Sequence, residues 1–133
     1  MDVTLQLFEK AKEAIAFSYS PYSNFQVGAC ILGKNEKFYI GSNIENVSYG
    51  LTICAEAVAI SQMIMDGEKE IKALLVSANH GNMCSPCGAC RQRIAEFTAA
   101  DSLIHMCNDK EIIQSISMDA LLPYAFNDEN IKR

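Results

Sequence analysis

The chain has 133 residues, 50% of them hydrophobic and 20% charged, which is enough apolar material for one packed core and unlike the composition of a disordered tail. Eleven basic side chains against sixteen acidic ones give a net charge of -5, which works against a sequence-independent hold on phosphate backbones and argues against nucleic acid as a partner. No apolar run approaches the roughly 18 residues of a membrane span, and Met1-Asp2-Val3-Thr4 has no charged leader region, so the expectation is a soluble, cytoplasmic, unprocessed chain without a membrane partner, folded as a single domain over residues 1–133.

In residues 3–17, Leu5, Leu7, Phe8, Ala11, Ala14 and Ile15 recur at three- and four-residue steps, with Glu9, Lys10, Lys12 and Glu13 on the other side, predicting an amphipathic helix. Residues 18–24 read as a loop, and 25–32 and 37–41, joined through Gly33-Lys34-Asn35, as a β-hairpin. The polar stretch 43–52 leads to a helix over 54–65 that Gly67 can stop. Residues 71–78 form a mostly apolar run suited to a covered strand, and the loop 79–85 opens into a helix over 87–97. A strand at 103–107, a turn at 108–110, a weaker strand at 112–116 and a short helix at 119–122, ended by Pro123, complete the pattern. Strands alternating with helices predict a layered α/β domain.

Six cysteines without a secretory signal point to metal binding, chemistry or burial rather than a disulfide framework. Cys30 and Cys107 lie in apolar strands and read as small buried hydrophobes. Cys87-Gly-Ala-Cys90 places two thiols on one face of a helix's first turn, a spacing shared by zinc sites, redox pairs and ordinary loop cysteines. Cys54, at a second predicted helix start, supplies a third thiol, and Glu56 beside it can serve the same centre only if that centre sits off the helix end. Three thiolates with one open position are the layout of a catalytic zinc; with Cys84 as a fourth ligand the site would be closed and structural, and Glu56 would have no task.

Cys54-Ala-Glu56 together with Pro86-Cys-Gly-Ala-Cys-Arg-Gln92 resembles the zinc-dependent nucleoside and nucleotide deaminases, with Cys where the base deaminases carry His. Residues 43–56, Pro21-Tyr-Ser-Asn-Phe-Gln-Val-Gly28 and Leu121-Leu-Pro-Tyr-Ala-Phe126 are similar, more narrowly, to the small homotetrameric cytidine deaminases, so the likeness runs from about Phe8 to Phe126. The resemblance implies a three-layer α/β/α sandwich with a mixed, about five-stranded central sheet, and hydrolytic deamination of free cytidine and 2′-deoxycytidine with release of ammonia, a step of pyrimidine salvage. It implies that Cys54, Cys87 and Cys90 hold one Zn2+ per chain, and that Glu56 shuttles a proton between water and N3 of cytosine. It further implies that the Ala55 backbone touches the amino end of the base, that Asn43 and Glu45 bind the ribose hydroxyls, and that Phe25 packs on the pyrimidine. Tyr49 and Phe126 are then contributions from neighbouring subunits of a homotetramer.

Plainer readings stand beside these. Phe25 heads an apolar strand and by sequence pattern alone reads more as core than as a stacking platform, Asn43 and Glu45 read as loop caps, and Phe126 reads equally as a fold-back onto its own core. His80 and His105 match no ligand motif and read as structural or surface residues. Other readings of the chain are deamination of a different cytosine nucleoside such as blasticidin S, a non-catalytic zinc-stabilised module and a two-cysteine redox protein. One position departs from the family pattern: many members carry Arg directly after the Cys-Ala-Glu tripeptide, and here Ala57 stands there. Zinc on three thiolates has a net charge of about -1, so Arg91, Arg93 or a main-chain donor is expected to supply the missing compensation.

Overall fold

Asp2 accepts a hydrogen bond from the Thr4 amide at 3.0 Å and so caps α1 (Val3–Ile15), the first element of the computed structural model, which describes residues 2–131. The hairpin follows as β1 (Val27–Gly33) and β2 (Phe38–Ser42), then α2 (Ala55–Met65), β3 (Ile71–Ala78), α3 (Gly88–Ala95), β4 (Thr98–Cys107), β5 (Ile112–Ser117) and α4 (Met118–Leu121). Short 3-10 turns lie at Tyr49–Leu51 and Asp128–Asn130. All five strands belong to one sheet in the order β2-β1-β3-β4-β5. Only β3 and β4 pair in parallel; the other three pairings are antiparallel, so the sheet is mixed as expected.

The period-two alternation of the strands divides their side chains between two apolar layers. Leu7, Phe8 and Ala11 of α1 pack on Cys30, Leu32, Ala73, Leu75 and Cys107. On the opposite face Ala55, Ala59, Ile60 and Met63 of α2, Ile94 of α3 and Met118 and Leu121 of α4 pack on Val27, Ala29, Ile31, Leu74, Val76, Ile104 and Met106. Helices on both faces make the three-layer α/β/α sandwich.

Two glycines set how closely the helices lie. A Cβ on Gly28 would meet the Ala11 carbonyl oxygen at 2.1 Å, and one on Gly41 would meet the Ala59 nitrogen at 2.4 Å and the Ala55 oxygen at 2.5 Å. Only glycine lets α1 and α2 press backbone against strand at these points. Gly67, at φ 89°, turns the chain just after α2, where the sequence predicted a stop.

The largest departure from expectation is β4, which begins at Thr98 rather than Leu103. Thr98 pairs with Ile71, after which the register shifts before Leu103 pairs with Ala73. Residues 99–101, Ala-Ala-Asp, carry no apolar alternation because they lie across this irregularity and are exposed.

Candidate active site

The parallel strands β3 and β4 both end at one edge of the molecule, the place where open α/β sheets hold their ligands. Val27 pairs with Ala78 and Gly28 with Ser42, so the segments entering β1 and leaving β2 reach the same edge. The loop after β3 is tied there by the Cys84 amide, which donates to the Cys107 carbonyl at 2.8 Å.

At this edge Cys54 is the N-cap residue of α2 and Cys87 that of α3, both in extended backbone. Cys90, one helical turn beyond Cys87, points inward and is fully buried. The sulfurs of Cys54, Cys87 and Cys90 lie within 4.8 Å of one another, and among the described residues no fourth His, Cys, Asp or Glu joins them. Zn–S bonds of about 2.3 Å place thiolates of one centre roughly 4 Å apart, so this soft, three-donor set fits one zinc ion and leaves a fourth position open. Cys84 stands outside the group. It lines the wall of the cavity instead, and burial pushes its thiol up to about 12, with the Glu56 charge adding to the shift.

The thiols differ with their surroundings. Burial raises Cys54 and Cys90, and the charges of Glu56 and the neighbouring sulfurs add to it. Cys87, the most open, is held below its ordinary value: burial opposes this, but hydrogen bonds from the Cys90 amide and thiol and from Cys54 outweigh it.

Glu56 lies in the first turn of α2 and is only 4% exposed. Burial pushes its carboxyl above the usual value, while its own backbone amide and the Arg93 guanidinium pull the other way. Such a carboxyl is poised to take up a proton and return it.

A cavity of about 200 Å³ opens in front of these groups, lined by Phe25, Val27, Asn43, Thr52, Cys54, Ala55, Glu56, Cys84, Ser85 and Cys87. Phe25 is 41% exposed, too open for a core residue, and the His80 ring stands edge-on to it at 6.0 Å. Asn43 is buried and holds the strand entrance: its Oδ1 accepts from the Val27 amide at 2.9 Å and from the Ser18 hydroxyl, and its Nδ2 donates to the Phe25 carbonyl at 2.8 Å. One Nδ2 proton remains for another partner. Glu45 lies beside the cavity rather than in its lining. Its carboxylate accepts from the Tyr22 and Ser23 amides at 3.0 and 3.2 Å and from the Ser23 hydroxyl, and these bonds, the hydroxyl's foremost, hold it below the usual range despite some desolvation.

Tyr49 and Phe126 are not brought to this cavity within the chain. Tyr49 is 75% exposed and meets Tyr22 edge-on, with ring centroids 6.2 Å apart. Phe126 is 60% exposed and lines a separate cavity of about 460 Å³ beside Ala95, Met118 and Leu122, its carbonyl accepting from Gln92 Nε2 at 2.8 Å.

The two candidate arginines part company. Arg91 is committed elsewhere: its Nε donates to the Pro86 carbonyl at 2.9 Å, its Nη1 to the Leu121 carbonyl at 3.2 Å and its Nη2 to the Ser85 hydroxyl at 2.7 Å. Arg93 Nη1 instead donates to Cys90 Sγ at 3.6 Å.

Sequence reasoning missed Thr52, Ser85 and Val27 as lining residues, and it weighed Cys84 only as a ligand. The apolar alternation of 25–32 already placed Val27 in a strand, but its position at the cavity mouth follows from its pairing with Ala78, which local sequence does not carry.

Comparison with known proteins agrees with this geometry. Residues 1–106 match the family model described as the cytidine and deoxycytidylate deaminase zinc-binding region. The chain belongs to that family. It is 42% identical to a cytidine deaminase of Halalkalibacterium halodurans over 125 residues, 94% of this chain and 95% of that one. A cytidine deaminase of Sporosarcina psychrophila is likewise 42% identical, over 98% of this chain and 96% of its own. The crystal structure of the cytidine deaminase from Burkholderia pseudomallei superposes with a TM-score of 0.88 at 36% identity, over 95% of this chain and 100% of that one. The sandwich described above is therefore the fold of these family members, and the three-thiol centre lies within the zinc-binding region. Among the described residues no helix is long and apolar enough to cross a membrane.

Proposed function

We propose that this chain hydrolytically deaminates free cytidine and 2′-deoxycytidine, working in the cytoplasm as one catalytic domain that spans its whole length. The observation that carries this is the meeting of three thiols, two of them at helix N-termini, with a buried carboxyl at the mouth of a small cavity. Zinc, when held by Cys54, Cys87 and Cys90, supplies the electrophile that makes water nucleophilic near neutral pH.

The chain's own groups do the rest. Glu56 takes a proton from the attacking water and delivers it to N3 of the base as the water oxygen bonds to C4, then moves the remaining hydroxyl proton from that oxygen to the amino group. The C4–N bond breaks, ammonia leaves and the uracil carbonyl remains. Phe25, open to the cavity, packs on the pyrimidine, and the main chain at Ala55 lies where the amino end of the base arrives. Asn43 offers its remaining Nδ2 proton and Glu45 its ionised carboxylate to the ribose hydroxyls. Both side chains are already held by hydrogen bonds, Asn43 in the cavity wall and Glu45 beside it, so the sugar meets groups fixed before it arrives.

Tyr49 and Phe126 complete a neighbour's pocket in a homotetramer. This is supported by the absence of both from the lining of their own cavity and by the exposed apolar run of Val47, Tyr49 and Leu51. A native mass of four chains supports the assembly; a monomer at assay concentration counts against it. The net charge of -5 favours an uncharged nucleoside over a polynucleotide.

A panel of cytidine, deoxycytidine, blasticidin S and a short cytosine-containing oligonucleotide on metal-analysed protein tests the function. Turnover of the first two alone is the expected result. Turnover confined to either of the others, or zinc bound without turnover of any, contradicts it.

A further inference from the structure

We infer that Arg93 is a positioning residue of the metal centre, a cation from the body of α3 that offsets the charge of the three thiolates and holds the Cys90 sulfur in place. The inference rests on the functional reading above, since it needs the thiols to act as metal ligands.

Three thiolates around a divalent ion leave a net charge of about -1, partly buried, and such a centre needs positive charge close by. The N-termini of α2 and α3 supply part of it through their amide groups. Among the described residues, Arg93 is the only basic side chain that donates a hydrogen bond to one of the three sulfurs, Nη1 to Cys90 Sγ at 3.6 Å. Arg91, only two positions away, is closer in sequence to Cys90 but is taken up by Pro86, Leu121 and Ser85. Arg93 and Cys90 are three residues apart on α3 and therefore share a face of the helix.

The Arg93 side chain also has room beside it. Arg93 also borders a groove between α2 and α3, together with Ala57, Ile60, Ser61, Gln92 and Glu96. Ala57, in the first turn of α2 next to Glu56, contributes only a methyl group to that groove. A larger side chain at 57 would compete with the guanidinium for the space. Positions 57 and 93 are thus alternative places from which one cation can serve the centre, and this chain uses the second.

The test compares the wild type, Arg93→Gln, Arg93→Lys and the double variant Ala57→Arg/Arg93→Gln. Each is measured for zinc retention against a competing chelator, for the thiolate-to-metal charge-transfer band of the Co2+-loaded protein, and for kcat and KM with cytidine. Glutamine keeps donors but removes the charge. Losing one charge-assisted hydrogen bond should weaken zinc retention about tenfold and lower kcat by a similar factor. KM should stay within about twofold, because Arg93 does not line the substrate cavity. The Co2+ band should shift, Arg93→Lys should recover part of the loss, and Ala57→Arg should restore zinc retention in the Arg93→Gln background.

Zinc retention and a Co2+ band unchanged in Arg93→Gln would overturn the inference. So would a loss that neither Lys at 93 nor Arg at 57 repairs, which would mark a purely structural contact. Failure of the functional reading is separable: the wild type would then not turn over cytidine, whereas the retention series and the Co2+ spectra need no turnover.

Discussion

On the α1 face of the sheet, Cys30 and Cys107 are fully buried between Leu7, Leu32 and Leu75, and burial pushes both thiols up to about 12. On the other face Cys54 and Cys87 sit at the first positions of two helices, and Cys87 is held below its ordinary value. The residue type is the same; what differs is the presence of helix-start amides and an opening to solvent. A strand interior leaves a thiol as a small hydrophobe, whereas two helix starts meeting at one cavity bring Cys54 and Cys87 within 4.8 Å of the buried Cys90, whose thiol is also pushed up by burial. Cys84 lies at the site edge but outside the three-sulfur group, and burial pushes its thiol up to about 12.

Deleting one thiol from each face has the largest expected effect. Cys87→Ala should abolish stoichiometric zinc and all measurable turnover, because two donors cannot hold the ion against water. Cys107→Ala should keep one zinc per chain and lower stability by about 1 kcal/mol, the scale of a small deletion in a packed core. Metal analysis with denaturant titration reads both, and zinc loss in Cys107→Ala would erase the distinction.

The glycines offer a subtler pair. Gly28→Ala and Gly41→Ala each force a Cβ into helix backbone, at 2.1 Å from Ala11 and 2.4 Å from Ala59. Each should lose about 1–3 kcal/mol. Only Gly41→Ala displaces α2, whose N-cap is Cys54, so only it should shed zinc faster to a chelator. Equal zinc release from both variants would mean that the α1 face contributes to the centre.

A smaller effect lies in His105, buried on the α1 side of β4 and hydrogen-bonded to Ser115 at 2.6 Å. Burial holds its pKa below the ordinary 6.5, against a weaker opposite pull from Asp2. The folded state therefore favours the neutral ring, and its contribution to stability is full above about pH 6.5 and fades as pH falls through the lower folded value. His105→Gln should keep a partner for Ser115 and flatten the decline of Tm between pH 7 and pH 5, with zinc content unchanged. A decline as steep as the wild type's would show that His105 is not its source.

The helix starts, the Cys87–Cys90 spacing and the Cys54–Glu56 pair were legible because each is a local pattern whose consequence is local. The mixed sheet followed from the α/β alternation and the family likeness, but its strand order was not readable, since β1 pairs with β3 across the whole of β2 and α2. Asn43 shows the limit on the site. Its side chain binds Val27 and Ser18, 16 and 25 residues away, and no neighbouring residue announces that. Arg93 is similar: sequence named it beside Arg91, and only the fold, which ties Arg91 to Leu121, chooses between them. For Phe25 the apolar strand pattern favoured the core, and its placement at the cavity mouth depends on the meeting of three chain segments at one sheet edge.

Under the proposed function, the buried Glu56 carboxyl beside the three-thiol centre moves the protons of cytosine deamination. Parallel zinc analysis and cytidine turnover of the wild type and Glu56→Gln test it most directly. One zinc per chain is expected in both, with turnover in the variant lower by about 10³-fold or more, in line with loss of a general acid–base group. Zinc-loaded Glu56→Gln that deaminates cytidine at the wild-type rate would contradict it.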